Sequence, residues 1–253
     1  MSHLEKGITM KIRNKMIQRI IIDLSCLLVF CLLLMIWLAA DTVELKEQLQ
    51  KTLKSGEWMI DYAATNNTAY AFISTSEDRK YGDRFLVFCK NEKGQWERRY
   101  ENDFTGLKPW KLRLADIDGD GEQELLTAVR KTTHYDKEEK NRLFIFNYRE
   151  NKLVKKWTGS DIAGSWENFV VGELVDAKGE EIIFITLTEN EKEKLFVYHW
   201  FDFGFLLLAQ SKDYEDITKV KIVGDNQIEI SYRDGRKRRE HLQLKDGRVI
   251  EVR

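Results

Sequence analysis

The chain is poor in cysteine and histidine, and it lacks every motif built from them. Of its 253 residues, three are Cys and four are His. Cys26 and Cys31 fall inside a long apolar run, which leaves Cys89 alone in the rest of the sequence, so no intramolecular disulfide can form there. Whatever folds beyond that run must be held by burial, with Cys89 as a small apolar filler in a strand. His3, His134, His199 and His241 stand at no metal-ligand spacing from one another or from a Cys. His199, set within an apolar strand, reads as a packed or hydrogen-bonded interior residue. No Gly-x-Ser-x-Gly elbow, glycine-rich phosphate loop or spaced Cys/His pair occurs, so the sequence carries no signature of the common nucleophilic and nucleotide chemistries. The 42 acids are too many for one glycosidase-like pair to be singled out.

An excess of charge of one sign is also missing. The net charge is -1, but it divides unevenly: residues 1–40 carry five basic and two acidic residues (+3), leaving 36 basic and 40 acidic (-4) for residues 41–253. A net acidic domain argues against nucleic acid as a partner. Beyond the basic N-terminus one cationic cluster stands out, Arg236-Lys237-Arg238-Arg239. Its default reading is a solvated edge strand that uses charge to prevent further pairing. The alternative is a contact for anionic lipid headgroups, wall polymers or sugar acids.

From Ile20 to Ala40 run 21 residues with Asp23 as the only charge. As a helix they span about 30 Å, enough for a bilayer. Lys11, Arg13, Lys15 and Arg19 precede the run while Asp41 and Glu44 follow it, so the positive-inside rule predicts a cytoplasmic tail over 1–19, a single membrane span over 20–40 and an extracytoplasmic C-terminal part. A cleaved signal peptide is the competing reading, but the run exceeds the usual apolar length and Leu38 suits an Ala-x-Ala cleavage site poorly. Residues 41–57 follow as a short helical stalk, with Val43, Leu45, Leu49 and Leu53 near helical spacing and Ser55-Gly56 as the stop.

From Trp58 onward the pattern is that of strands, and it repeats. Phe85-Leu86-Val87-Phe88, Leu143-Phe144-Ile145-Phe146 and Leu195-Phe196-Val197-Tyr198 each follow a charged loop, and each such loop follows another apolar strand. With a leading and a trailing strand added, each unit is a four-stranded meander, and a weaker fourth unit ends the chain. The predicted units span about 58–107, 108–160, 165–213 and 217–253. Four-stranded repeats of this length mark propeller blades, and the middle strands lack polar alternation, as strands covered on both faces do. The expected fold class is therefore all-β: a propeller-like array of about four antiparallel blades behind one transmembrane helix and a stalk. A two-sheet sandwich or barrel is the alternative. Trp58, Trp110, Trp157, Trp166 and Trp200 read as packing anchors near unit edges.

One loop carries chemistry. Asp116-Ile117-Asp118-Gly119-Asp120-Gly121-Glu122-Gln123-Glu124 alternates acids around two glycines and runs straight into Leu125-Leu126. Carboxylates at positions 1, 3 and 5 can converge on one hard cation, Gly121 permits the turn, Glu122 can offer its backbone carbonyl, and Glu124 can close the shell. Position 12 is Thr127 where an EF-hand needs a bidentate Glu, and neither flank is helical, so this is not an EF-hand.

These residues resemble the FG-GAP/VCBS repeat family, the integrin-α-like propeller repeats, whose Asp-x-Asp-x-Asp-Gly-x-x-Asp loops bind calcium between strands. Here Glu124 stands where that family usually has Asp. A degenerate copy at Val171–Ile182 lacks the acids at positions 3 and 5, so one calcium is expected, in the second unit, with Asp116, Asp118, Asp120, Glu122 and Glu124 as its site. Together with the span read from 20–40, the resemblance implies a membrane-tethered binding or interaction module with one structural calcium and a protein or glycan ligand outside the cell. A surface polysaccharide hydrolase or lyase, and an accessory subunit of an envelope complex, are the alternatives.

Overall fold

The computed structural model describes residues 44–252 apart from 160 and 225. The expected cytoplasmic tail and membrane span lie outside the described residues. Among those described, no helix is long and apolar enough to cross a membrane.

The chain divides into two compact units, Met1–Thr52 and Leu53–Arg253. In the first, residues 44–51 are helical and the Thr52 hydroxyl closes the end by donating to the Leu49 carbonyl at 2.7 Å. The helix is shorter than the stalk read over 41–57. Its continuation is replaced by a turn in which Lys54 N–H donates to the Glu57 carboxylate at 2.7 Å and Gly56 takes a left-handed φ of 81°.

The second unit is all β. Its first meander is β1 (Trp58–Ala64), β2 (Thr68–Ser74), β3 (Arg84–Lys90) and β4 (Trp96–Asp103). The second is β5 (Pro109–Ala115), β6 (Glu124–Lys131), β7 (Lys140–Arg149) and β8 (Lys152–Thr158). The third is β9 (Trp166–Gly172), β10 (Glu181–Leu187), β11 (Glu193–Phe201) and β12 (Gly204–Gln210). The fourth is β13 (Asp216–Gly224), β14 (Gln227–Asp234), β15 (Arg236–Lys245) and β16 (Arg248–Glu251). Each is antiparallel in chain order, as the repeat predicted. The third and fourth join edge to edge in one eight-stranded sheet through a single parallel pair, Gln210↔Arg248, which the repeat pattern did not signal.

Three apolar cores lie between successive meanders, and the strand period explains how. Side chains alternate across a sheet, so a strand apolar at every position serves two cores at once. On β6, Leu125 and Val129 enter the core shared with Phe72, Phe85 and Val87 of the first meander. Leu126 and Ala128 enter the core shared with Trp166, Phe169 and Phe184 of the third. On β10, Ile182 and Phe184 face back while Ile183 and Ile185 meet Ile217, Ile228 and Ile230 of the fourth. Trp166 is buried among Trp110, Phe169 and Phe184, which fits its expected place as a packing anchor.

The first strands of the meanders, β1, β5, β9 and β13, lie beside one another in that order. Polar links tie them. Asp61 accepts from Leu112 N–H and from Arg113, both at 2.9 Å, and the buried Lys111 ammonium donates to Asn168 Oδ1 and the Phe169 carbonyl, both at 2.5 Å. In the fourth meander the alternation returns: Val220, Ile228, Ile230 and Leu242 are buried while Lys219, Lys221, Arg239 and His241 are exposed. That meander is covered on one face only.

Candidate metal centre

The acidic alternation forms the β5–β6 connection. Asp116 folds the loop onto itself, one carboxylate oxygen accepting from Asp120 N–H at 3.0 Å and the other from Gly121 N–H at 2.9 Å. Asp120 in turn accepts from Glu122 N–H at 2.8 Å. Gly119 and Gly121 have φ of 64° and 89°, the left-handed region that glycine enters without steric cost. The outcome is convergence: one carboxylate oxygen from each of Asp116, Asp118 and Asp120 lies within 4.8 Å of the other two. Asp118 Oδ1 is buried and has no hydrogen-bond partner among the described residues.

Glu122 and Glu124 take different places. The exposed Glu122 carboxylate pairs with Arg149, which also reaches Asp120 at 3.5 Å. Glu124 is fully buried and is not among the three acids whose oxygens converge, though it shares Lys156 with Asp118. One of its oxygens accepts from Ile117 N–H at 3.1 Å; the other accepts from Asn147 at 2.8 Å and from the Lys156 ammonium at 2.8 Å. Lys156 pairs with Asp118 as well and lies 5.6 Å from the centre of the Trp200 ring. Burial acts to raise the Asp118 pKa, and the hydrogen bond and charge of Lys156 override it and hold the carboxyl below its usual range. Burial acts to lower the Lys156 pKa, and its two carboxylate partners, Asp118 and Glu124, override it and raise it above the ordinary value.

The third meander shows the same frame without the acids. Glu181, fully buried at the start of β10, accepts from Leu174 N–H at 2.9 Å and Val175 N–H at 3.1 Å. His199 contacts its second oxygen through Nδ1 at 2.9 Å, an interior hydrogen bond of the kind expected for that residue. Asn147 and His199 hold matching positions, each following the residue paired across from the one after the glutamate, Leu125↔Phe146 and Ile182↔Tyr198. The fourth strand of each of these two meanders is bulged. Between Ile145↔Trp157 and Phe146↔Lys155 the extra residue is Lys156; between Val197↔Ala209 and Tyr198↔Leu207 it is Leu208. The loop that has lost the acids at positions 3 and 5 has thus also lost the lysine.

The two loops interlock. Glu180 N–H donates to the Asp116 carbonyl at 2.8 Å, and the Glu180 carboxylate accepts from Asp116 N–H at 3.0 Å. Burial raises the Glu180 pKa above the ordinary carboxylate value. A Cβ on Gly179 would run into the Ile117 carbonyl, and one on Gly119 would come within 2.8 Å of Gly179 N. Beside the loop, on the side of the first meander, opens a depression of about 510 Å³ lined by Tyr70, Leu114, Glu122, Asn147, Tyr148 and Arg149, among others.

Lys156, Asn147 and Glu180 were not legible as parts of this centre. They lie 32, 23 and 56 residues from Glu124 in sequence, and a bulge residue carries no periodic signal.

No family model matches the chain, and no curated protein matches it. Among solved structures it is similar to a putative 6-phosphogluconolactonase from Bacteroides fragilis, with a TM-score of 0.48 and 12% identity over 76% of this chain. It spans 55% of that protein's length. It is also similar to a Xanthomonas protein related to the type IV secretion system, with a TM-score of 0.37 and 13% identity over 80% of this chain and 95% of that one. Neither likeness bears on chemistry; the all-β, propeller-like description rests on the four meanders and the cores between them.

Proposed function

We propose that the chain is a membrane-tethered extracytoplasmic binding module whose second meander is braced by one structural calcium ion. The observation that carries the metal is the convergence of one carboxylate oxygen each from Asp116, Asp118 and Asp120 within 4.8 Å, together with a buried oxygen of Asp118 that has no hydrogen-bond partner among the described residues. Three hard oxygen donors on a tight glycine turn suit calcium better than softer metals. Those three carboxylates would hold the ion, with the Glu122 carbonyl as a fourth donor, while Glu124 secures the loop from inside through Ile117, Asn147 and Lys156. The ion would supply charge neutralisation at the turn into β6. The tether is the apolar run Ile20–Ala40 with its basic flank, and the resemblance of the loop to FG-GAP/VCBS repeats supports the binding role.

The depression beside the loop is where we place the ligand contact, because Tyr70, Tyr148 and Arg149 line it and Arg149 reaches into the acidic loop. Full-length protein in detergent, passed over glycan and envelope-protein panels with calcium and with chelator, tests this reading. Calcium-dependent retention without turnover supports it. Release of reducing ends from a glycan would replace it with a hydrolase or lyase.

A further inference from the structure

The one-sided fourth meander gathers cations on its outward face. Lys219 is paired across strands with Ser231 and Ser231 with Arg239, while Lys221 is paired with Glu229 and Arg233 with Lys237. Residues directly opposite share a face. The apolar residues Val220, Ile228, Ile230 and Leu242 occupy the other face in the core, so all five cations point outward. Asp216 and Glu229 are the carboxylates beside them, at 3.3 Å from Arg233 and 3.8 Å from Arg239. Five cations against two carboxylates leave a surplus of three on one sheet face, in a region from residue 41 onward that is net acidic.

The basic run explains only part of this. Lys237 and Arg239 face outward, whereas Arg238 lies opposite Tyr232 on the core side. Nor is β15 simply an edge strand: it pairs with β14 along its length and with β16 over Leu242–Lys245. Lys219, Lys221 and Arg233 come from other strands, brought there by the sheet. Exposed aliphatic side chains accompany the cations. Ile250, paired with Gln243 on that face, is 41% exposed, and Val223, the extra residue of the bulge between Ile222↔Ile228 and Gly224↔Gln227, is 46% exposed at its end.

We infer that this face docks on an anionic lipid bilayer. Lysine and arginine side chains near a charged membrane surface each add attraction, and aliphatic groups beside them gain by entering the headgroup boundary. A soluble polyanion rewards the cations alone and leaves Val223 and Ile250 in water, which is why the lipid surface is the occupant chosen. The inference rests on the single-span tether proposed above: residues 41–57 separate the apolar run from β1, a connection of at most about 60 Å when extended.

The test uses the full chain in nanodiscs of phosphatidylcholine, with and without equimolar phosphatidylglycerol, read by amide hydrogen exchange. Exchange over 217–223 and 228–243 is expected to slow in the anionic discs. It should return to the neutral-disc rate at about 1 M NaCl, where the screening length is about 3 Å. Each cation contributes roughly a fivefold attraction, so K219Q/K221Q/R239Q should weaken docking roughly a hundredfold and abolish the slowing. Equal exchange in both discs, or slowing that survives the triple variant, overturns the proposal. So does slowing by a soluble anionic polysaccharide in neutral discs when the anionic discs give none. If the chain fails to integrate into discs, the tether reading falls, and flotation with vesicles decides the surface on its own. Flotation with phosphatidylglycerol vesicles and not with phosphatidylcholine sustains the docking face, and flotation with neither removes it.

Discussion

The Lys156 ammonium lies 2.8 Å from the Glu124 carboxylate, inside the loop whose acids read as a divalent-cation site. It also pairs with Asp118, so one side of the acidic cluster is already neutralised by the protein. Glu124 is fully buried, and Ile117 N–H, Asn147 and Lys156 supply its donors. In the proposed site Lys156 and calcium would divide the work: the lysine pairs with Glu124 and Asp118, and the metal would compensate the carboxylates that face outward.

Replacing Lys156 by Met tests that division. Breaking a buried pair and leaving one charge costs about 3–5 kcal/mol, and Lys156→Met should approach the lower end in chelator because Ile117 N–H and Asn147 still serve Glu124. Calcium should then stabilise the variant more than it stabilises the wild type. Thermal melts of both proteins in chelator and in calcium check this; an equal calcium response in the two would separate Lys156 from the metal site.

Gly179 and Ile117 hold the second and third meanders in register at their loops. A Cβ at Gly179 meets the Ile117 carbonyl, and the residue has a φ of 94°. Gly179→Ala should cost more than about 2 kcal/mol and blunt the calcium response, since the clash pushes directly on the acidic loop. Gly121→Ala, with a φ of 89° but open space around its Cβ, should cost only the left-handed penalty of about 1–2 kcal/mol. Denaturant midpoints of the two variants, side by side, give the comparison.

Lys111 makes stability rise with alkaline pH. Burial, aided by the nearby Arg113 charge and opposed by Asp61, lowers its pKa to about 8. The folded state thus releases a proton that the unfolded chain keeps until about 10.5. Fewer protons bound in the folded state means stability increases as pH rises through that window. The gain from pH 8 to pH 10 is about 2 kcal/mol by that linkage. Urea unfolding at the two values should show the rise in the wild type and its loss in Lys111→Met, and an unchanged rise in the variant would assign it elsewhere.

The meanders were legible because the cue is local: apolar runs such as Leu143–Phe146 recur between charged turns, and the two-core role of β6 and β10 removes the polar alternation a one-sided strand would show. The converging trio was legible for the same reason, as three acids at alternate positions on one turn. What the sequence hid is long-range. Glu124 read as a metal ligand because its neighbours did, yet Asn147 and Lys156, from β7 and β8, engage its carboxylate. The basic run at 236–239 read as a charged edge, while the cationic face depends on β13 and β14, whose lysines and arginine are scattered singly in the sequence.

The central claim is a calcium ion held by Asp116, Asp118 and Asp120, and melting the full-length protein with and without calcium tests it most directly. For an extracellular-type site with a Kd on the order of 10⁻⁴–10⁻³ M, calcium at about 10 mM should add about 1–3 kcal/mol. The wild-type Tm should rise by several degrees in calcium over chelator, and Asp118→Ala should show no calcium response. Superimposable wild-type melts in calcium and in chelator would contradict it.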